Sequence, residues 1–204
     1  MENILNGTPI FLFDWFSQNI PLWNQILKNY KEKPNLTFLE LGVFEGLCTR
    51  WLLNNILTDP TSRIYCCDIF DDENYKIKYA NIFKHFKNLK IKDIFLNNIN
   101  DYKNKVKIFE GYTSNILKLP EILQLSFDFV YIDACHESSN VLEDAILSFP
   151  LVKKNGIIIF DDYLQQDILS IENPKIGIDS FLNSYKGLYE IINVGYQMII
   201  KKCV

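Results

Sequence analysis

Three aspartates follow two apolar runs of the chain, and their carboxylates are suited to holding a cation. Asp133 closes the run 129–132, and the adjacent pair Asp161-Asp162 closes the run 157–160. Adjacent carboxylates at a buried strand end repel each other unless a cation or hydrogen-bond donors neutralise them. Together the three would form an oxygen-rich site for Mg²⁺ or a similar hard cation. The alternative is that one aspartate of the pair caps the next loop while the other is solvated.

His136 lies three residues after Asp133 and is a candidate general base. An imidazole just beyond a buried strand can accept a proton near neutral pH, and a neighbouring carboxylate supports such a role. A purely structural histidine is the alternative. The other histidine of the chain, His85, lies in the basic stretch 84–92, which predicts a solvated surface position.

A glycine loop precedes these residues, in the pattern E-x-G-x-x-x-G formed by Glu40, Gly42 and Gly46. It follows a short apolar run, and a helical pattern begins directly after it. Glycines there let the backbone approach a ligand closely, and the helix presents free N–H groups. The bulky Phe44 argues against the G-x-G-x-x-G loop of dinucleotide sites and leaves room for a ligand with an amino-acid tail. The alternative is that the glycines serve packing alone.

Two further stretches could bind a nucleoside. Asp68 closes the second apolar run, where a carboxylate can accept hydrogen bonds from both vicinal hydroxyls of a ribose; the alternative is a solvated turn acid. Gly111 permits a sharp turn after the third run, so that Tyr112 and Thr113 could lie against a purine edge. Thr113 or Ser114 could also cap the helix that follows.

The elements that position these residues alternate between strands and helices. Apolar runs predict strands over 37–41, 63–68, 105–110, 127–133, 156–161, 189–194 and 196–201. Periodic apolar positions predict helices within 10–30 and over 46–57, 77–97, 113–125, 138–151 and 175–185. We therefore expect an α/β, Rossmann-like three-layer sandwich with a mostly parallel seven-stranded sheet, to which a C-terminal hairpin adds one antiparallel strand at the edge. The acids then lie at strand carboxyl ends, where such sheets bind ligands.

Composition narrows the classes of function. The chain has 204 residues, 48% of them hydrophobic, which predicts one domain with a full core. A net charge of −4 argues against a nucleic-acid binder, and no apolar run approaches the roughly 20 residues that span a bilayer. The N-terminus shows no secretory signal, and five cysteines without a C-x-x-C pair are typical of a reducing compartment. We expect a cytoplasmic protein without nucleic-acid or membrane partners, whose exposed strand edges would permit a homodimer.

Taken together, these residues resemble the class I S-adenosylmethionine (SAM) dependent methyltransferases. The similarity is greatest to the small O-methyltransferase-like family that includes sugar and macrolide-sugar (macrocin-type) methyltransferases. It runs from about residue 38 to residue 202 and is most specific over 38–53, 133–162, 174–182 and 195–202. The resemblance implies methyl transfer from SAM to a hydroxyl of a small molecule, such as a sugar or another polyhydroxylated acceptor.

The resemblance also implies a role for each candidate residue. SAM would be bound by Glu40, Gly42 and Gly46 at its methionine part, Asp68 at the ribose, Gly111, Tyr112 and Thr113 at the adenine, and Asp133 below the methyl group. His136 would be the base. Mg²⁺ would be held, as in metal-using relatives, by Asp133, Asp161 and Asp162. The chain departs from the family at Ala134 and Asn155, where relatives have glycine, and at Cys135, where some have a second acid.

The N-terminal residues 1–33 carry aromatic helices that would fold over the site as a lid, whereas residues 34–204 would form the SAM-binding domain. Core packing is the alternative for those aromatic residues. Two other functions compete with methyl transfer: a SAM-binding module without catalysis, and an NAD-type enzyme on a similar sheet. The intact set of acids argues against the first, and Phe44 with the terminal antiparallel strand argues against the second.

Overall fold

Strands and helices alternate along the chain, as the apolar runs predict. The computed structural model describes residues 5–71, 73, 77, 80–83, 89–165 and 171–204. His85 and part of the predicted helix 77–97 lie outside these ranges. Within them, no helix is long and apolar enough to cross a membrane.

The seven described strands form a single sheet. They are β1 (Thr37–Leu41), β2 (Arg63–Asp68), β3 (Val106–Glu110), β4 (Phe127–Ile132), β5 (Val152–Phe160), β6 (Tyr189–Val194) and β7 (Met198–Lys202). Their order across the sheet is β3-β2-β1-β4-β5-β7-β6. β4 pairs in parallel with β1 and with β5, and the paired residues 129–132 and 157–160 are apolar and buried, as central strands of a covered sheet require. The predicted α/β class is confirmed.

The step from β1 to β4 positions the candidate site. The strand order changes direction there, since β2 and β3 lie on one side of β1 whereas β4 and β5 lie on the other. Leu41 is the register partner of Ile132, which in turn is the partner of Phe160. The residues that follow these three strands therefore emerge at one edge of the sheet, next to the switch point where such sheets bind ligands.

One strand is antiparallel, and its position differs from the prediction. β7 runs antiparallel to both β5 and β6, so it lies one place inside the edge and β6 is the edge strand. The expectation of an antiparallel strand at the edge itself was wrong. The physical reason is burial: β7 carries the apolar run 198–200, which is almost fully buried, whereas β6 is largely exposed.

The α-helices of the described residues overlap the predicted segments. They are α1 (Ile20–Ile26), α2 (Leu47–Asn55), α3 (Ala80–Phe83), α4 (Ile91–Asn98), α5 (Thr113–Ile116), α6 (Pro120–Leu123), α7 (Ser138–Ser148) and α8 (Pro174–Ser184). Pro120 separates α5 from α6 and begins the second of them, where its missing N–H is not needed.

The chain divides into two compact units. The first comprises Met1–Leu36, Val43–Arg63 and Ile69–Lys107, and the second Thr37–Gly42, Ile64–Asp68 and Ile108–Val204. In the first unit, Trp23 is fully buried and packs edge-on against Phe16 and Trp51, with ring centroids 5.0 and 6.0 Å apart. Phe16 and Trp23 therefore belong to the core of this unit, while Trp15 is 45% exposed. The lid role of residues 1–33 stays a prediction.

Candidate active site

The turn after β1 requires glycine for a structural reason. Gly42 has a φ of +84°, and a Cβ built on it would lie 2.0 Å from the carbonyl oxygen of Asp133. Its N–H donates to the carbonyl of Cys67 at 2.8 Å. The backbone of β4's end thus already occupies the space that the missing side chain leaves. Packing accounts for this glycine, and its contact with a ligand stays a prediction.

Gly46 is also constrained by its neighbours. It precedes α2 with a φ of +80°, and a Cβ there would approach the ring of Phe95 to 2.8 Å. Glu40, by contrast, lies on β1 in register with Tyr131 and is 1% exposed. The predicted roles of both residues at the methionine part of a cofactor stay untested.

The residues predicted to bind a nucleoside lie side by side. The N–H of Gly111 donates to the carbonyl of Asp68 at 2.9 Å, which joins the ends of β2 and β3. Tyr112 is 66% exposed and is itself the N-cap residue of α5, without a side-chain capping bond. The expectation that Thr113 or Ser114 caps this helix was wrong, because both lie within its first turn.

Asp144 is a buried acid that sequence reasoning missed. It is 1% exposed, and the Thr113 hydroxyl donates to it. Burial raises the pKa of Asp144 to about 6, and the Thr113 bond opposes that shift. Within the described part of the chain, its Oδ2 has no hydrogen-bond partner. An acid between apolar residues on the inner face of an amphipathic helix was the available signal.

Tyr131 links two of the predicted aspartates. Its hydroxyl lies 2.9 Å from Oδ2 of Asp133 and 2.8 Å from Oδ2 of Asp161. A phenol has one proton, so it donates to one carboxylate at a time and the second bond requires a proton on a carboxyl group. Burial, followed by the charges of Asp161 and Asp162, raises the pKa of Asp133 well above its usual range, and burial with the charge of Asp162 raises the pKa of Asp161.

The adjacent aspartates have different partners. Oδ1 of Asp161 accepts a hydrogen bond from Nε2 of Gln197 at 2.9 Å, so both of its oxygens are engaged. Asp162 has a φ of +55°, a left-handed conformation uncommon for a non-glycine residue. The Tyr196 hydroxyl donates to its Oδ1. Its Oδ2 faces His136 instead.

His136 lies with the acids, as predicted. Its Nε2 is 3.0 Å from Oδ2 of Asp162 and 4.0 Å from Oδ1 of Asp133, and a third of its side chain is exposed. These residues line a small cleft together with Cys135 and Pro174. A proton acceptor with two flanking carboxylates at the open end of a parallel sheet is suited to general-base chemistry.

The same three side chains could hold a cation. One ligand atom each from Asp133, His136 and Asp162 lie within 4.8 Å of one another. Asp161, predicted as a ligand, is outside this group, and its two oxygens accept hydrogen bonds from Tyr131 and Gln197. Two carboxylates and an imidazole fit a divalent cation, although Mg²⁺ prefers oxygen ligands alone.

Sequence reasoning also missed the hydrogen-bond donors around the acids. Tyr131 places a hydroxyl within the buried run 129–132 of β4, and Tyr196-Gln197 lies in the turn between β6 and β7. A polar tip within a buried strand was a usable signal. The turn residues offered none, because they lie more than 30 positions from the aspartates that they contact.

Solved structures share this fold. MycE, a methyltransferase of the mycinamycin biosynthetic pathway solved with Mg, SAH and mycinamycin VI, has a TM-score of 0.64 at 15% identity; the match covers 94% of this chain and 51% of MycE. CalS11, described as a TDP-rhamnose 3'-O-methyltransferase of calicheamicin biosynthesis, has a TM-score of 0.55 at 16% identity, covering 92% of this chain and 80% of CalS11. At these identities the likeness establishes the Rossmann-like fold.

A relative and a family model complete the comparison. The uncharacterized protein R132 of Acanthamoeba polyphaga mimivirus is 29% identical over 143 residues, which are 67% of this chain and 56% of that protein. The chain thus spans about half the length of this relative and of MycE. A family model described as a methyltransferase domain matches residues 39–163, which run from within β1 through β5 and include the acid cluster. The chain belongs to this methyltransferase domain family.

Proposed function

We propose that this protein transfers a methyl group from SAM to a hydroxyl of a small molecule. The observation that carries the proposal is the cluster of His136, Asp133 and Asp162 at the carboxyl ends of β4 and β5. Methyl transfer to oxygen needs a group that removes the hydroxyl proton, and this cluster provides one beside the switch point of the sheet. Membership of the methyltransferase domain family supports the assignment.

SAM would be held mainly by residues of the second unit. Asp68 would accept the ribose hydroxyls while Gly111, Tyr112 and Thr113 flank the adenine, which is supported by the 2.9 Å backbone bond between Gly111 and Asp68. Glu40 and Gly42 would lie at the methionine part. Gly46 is proposed from its place in the loop alone.

The chemistry asked of the protein is alignment and proton removal. The sulfonium of SAM supplies an activated methyl group. The acceptor oxygen forms the new O–CH₃ bond as the S–CH₃ bond breaks, and the hydroxyl proton passes to His136. Asp133 and Asp162 would stabilise the imidazolium that results, since opposite charges a few ångströms apart attract strongly at a partly buried site.

A divalent cation could share this task. Asp133 and Asp162 each have an oxygen within 4.8 Å of the other's and of a nitrogen of His136, and a cation held there would lower the pKa of an acceptor hydroxyl. Asp161 would bind the cation only after its hydrogen bonds with Tyr131 and Gln197 are broken. Magnesium in the MycE structure supports a test of this metal first.

The acceptor class is proposed by analogy with CalS11, which is named for its rhamnose substrate. We therefore propose a sugar or another polyhydroxylated molecule. A panel of nucleotide-linked deoxysugars, free glycosides and catechols, each incubated with SAM labelled in the methyl group, would identify the class. Methyl transfer to catechols alone would contradict a sugar acceptor.

Calorimetric titration with S-adenosylhomocysteine, with and without Mg²⁺, tests the cofactor. We expect micromolar binding that falls about tenfold in Asp68→Asn, because a charge-assisted bond is worth about 1.5–3 kcal/mol. Glu143→Gln is the matched control, since this exposed acid pairs with Lys118 on the surface. Absence of binding in the wild-type protein, or binding of NADH instead, would refute the methyltransferase proposal. Binding without transfer to any acceptor would favour a module that only binds SAM.

A further inference from the structure

The backbone of residues 7–13, which we call the strap, is bonded to side chains of α4 in the same unit. Asn97 accepts the N–H of Gly7 at 2.8 Å. Asn98, which is fully buried, accepts the N–H of Ile10 at 2.7 Å and donates to the carbonyl of the same residue at 2.6 Å. Two consecutive asparagines thus satisfy backbone groups of the strap, as a neighbouring strand would.

Glu45 joins the strap to the loop 43–46, which precedes α2. Its side chain is buried, and its Oε2 accepts the N–H of Leu12 at 2.7 Å and that of Phe13 at 3.3 Å. Its other oxygen, Oε1, has no hydrogen-bond partner within the described part of the chain. Because a buried carboxylate is costly without donors, the two strap N–H groups and the position of Glu45 depend on each other.

The backbone of the loop 43–46 is bonded at the same place. Nδ2 of Asn98 donates to the carbonyl of Glu45 at 2.8 Å, so this one asparagine bonds both the strap and the loop. Within the loop, the N–H of Gly46 donates to the carbonyl of Val43 at 2.7 Å and closes a tight turn. The loop is therefore held through a backbone carbonyl by α4 and through a side chain by the strap.

The ring of Phe44, in the same loop, packs against the end of the strap. Its centroid lies 5.7 Å from that of Phe13 and 4.9 Å from that of Trp15, which is stacked on it at 20°. Phe44 has a φ of +47°. A left-handed backbone at a non-glycine residue persists only where its surroundings impose it, and the contacts with the strap contribute to that constraint.

We propose that the strap holds the loop 43–46 in the shape that binds SAM, with Glu45 and Asn98 as positioning residues. The inference rests on the proposed function, in which the glycine loop lies at the methionine part of SAM. It differs from a lid, because the strap fixes the loop itself and does not cover the ligand. A loop that is competent in about a tenth of the molecules binds its ligand about tenfold more weakly.

Substitutions at Glu45 test the bonds between strap and loop. Glu45→Gln keeps an oxygen that can accept the two N–H groups, whereas Glu45→Leu has a similar size and no acceptor. By calorimetry with S-adenosylhomocysteine, we expect wild-type affinity in Glu45→Gln and about tenfold weaker binding in Glu45→Leu. KM for SAM should rise by the same factor in Glu45→Leu with kcat unchanged. Glu45→Asp keeps a shorter carboxylate; we expect a smaller loss of affinity there, and this variant replaces Glu45→Leu if the latter does not fold.

Ser62→Ala is the matched control for a general loss of stability. The Ser62 hydroxyl is buried in the same unit, accepts the N–H of Leu36 at 3.1 Å and donates to the carbonyl of Lys33 at 3.0 Å. It therefore also bonds two backbone groups, but these belong neither to the strap nor to the loop. We expect Ser62→Ala to be less stable and to bind S-adenosylhomocysteine as the wild-type protein does. Equal weakening in Ser62→Ala and Glu45→Leu would overturn the proposal.

Amide hydrogen exchange tests the strap without a ligand. In Glu45→Leu we expect faster exchange at Leu12 and Phe13, which lose their acceptor, and also at Gly46, whose bond closes the loop. Faster exchange in the strap with an unchanged affinity for S-adenosylhomocysteine would overturn the proposal, as would equal weakening in Glu45→Gln and Glu45→Leu. A wild-type protein that does not bind S-adenosylhomocysteine would refute the methyltransferase proposal, and exchange at Gly46 would still decide whether the strap holds the loop.

Discussion

Asp161 and Asp162 are identical side chains at adjacent positions, and their surroundings separate them. Asp161 has both oxygens bonded to neutral donors, Tyr131 and Gln197. Asp162 faces a histidine and a tyrosine instead. Because Asp161 shares its bonds with neutral groups, an amide can replace it with little loss of shape. The same substitution at Asp162 would remove a negative charge beside the candidate base.

We therefore expect Asp161→Asn to stabilise the protein above neutral pH. Burial and the charge of Asp162 raise the pKa of Asp161, so ionising it in the folded state opposes folding as pH rises through that pKa. An asparagine accepts one of the two hydrogen bonds and avoids this cost. Thermal melts at pH 8 should show a higher Tm for Asp161→Asn than for the wild-type protein, and the free energy of unfolding should be higher by an amount on the order of 1 kcal/mol. A lower Tm would mean that the carboxylate itself is required for folding.

The sequence could locate these acids but could not separate them. Buried strands were predicted to end at Asp133 and Asp161, and parallel pairing brings such ends together. The orientation of Asp162 depends on its positive φ, for which a non-glycine residue offers no sequence signal. It depends also on Tyr196, 34 positions away. Long-range contacts of this kind follow from the register of β7, which no local pattern encodes.

At the scale of elements, the turn from β1 to α2 is set by close contact between backbones. Gly42→Ala should be strongly destabilising, because its φ of +84° is strained for alanine and the new Cβ would meet the Asp133 carbonyl at 2.0 Å. Strain of this kind costs about 1–3 kcal/mol before any clash. Chemical denaturation of the variant measures the loss.

Gly187→Ala is the matched control for that measurement. Gly187 has a similar φ of +90°, but a Cβ there would have nothing within 4 Å. We expect the free energy of unfolding of this variant to fall by about 1–2 kcal/mol, which is the conformational cost alone. Equal losses in the two variants would show that the Asp133 backbone relaxes away from residue 42, and the argument from close packing would then fail.

The start of β5 shows where element prediction from sequence stops. The strand was predicted from Gly156, but it begins at Val152 and includes the polar stretch 153–155. Lys153 forms an ion pair there with Asp128 of β4 at 2.8 Å. This cross-strand ion pair stands where the sequence prediction requires apolar residues. Residue 128 is also where the β4–β5 register shifts. The apolar half of the strand was predictable because burial dictates its residues, and its polar half was not.

Among the described residues of the whole molecule, several buried or partly buried acids have raised pKa values, and this sets how stability depends on pH. Burial raises the pKa of Glu45 to about 7, against the hydrogen bonds that Leu12 and Phe13 donate to it, and raises that of Asp144 to about 6. The pKa values of Asp133 and Asp161 are raised as well. Between pH 5 and 8 the folded protein therefore holds more protons than the unfolded chain.

It follows that the free energy of unfolding should fall as the pH rises from 5 to 8. An acid whose pKa is higher in the folded protein than in the unfolded chain stabilises the fold fully at pH values below its unfolded pKa. This stabilisation is lost as the pH rises through its folded pKa. Glu45→Gln and Asp144→Asn should each reduce the slope, since each removes a titrating group. Asp59→Asn should leave the slope unchanged, because hydrogen bonds from Thr61 lower the pKa of Asp59 and keep it ionised throughout this range. Urea denaturation of the four proteins at pH 5, 6, 7 and 8 measures how steeply the free energy of unfolding of each protein changes with pH. A wild-type free energy of unfolding that rises with pH would show that these acids do not govern the pH dependence of stability.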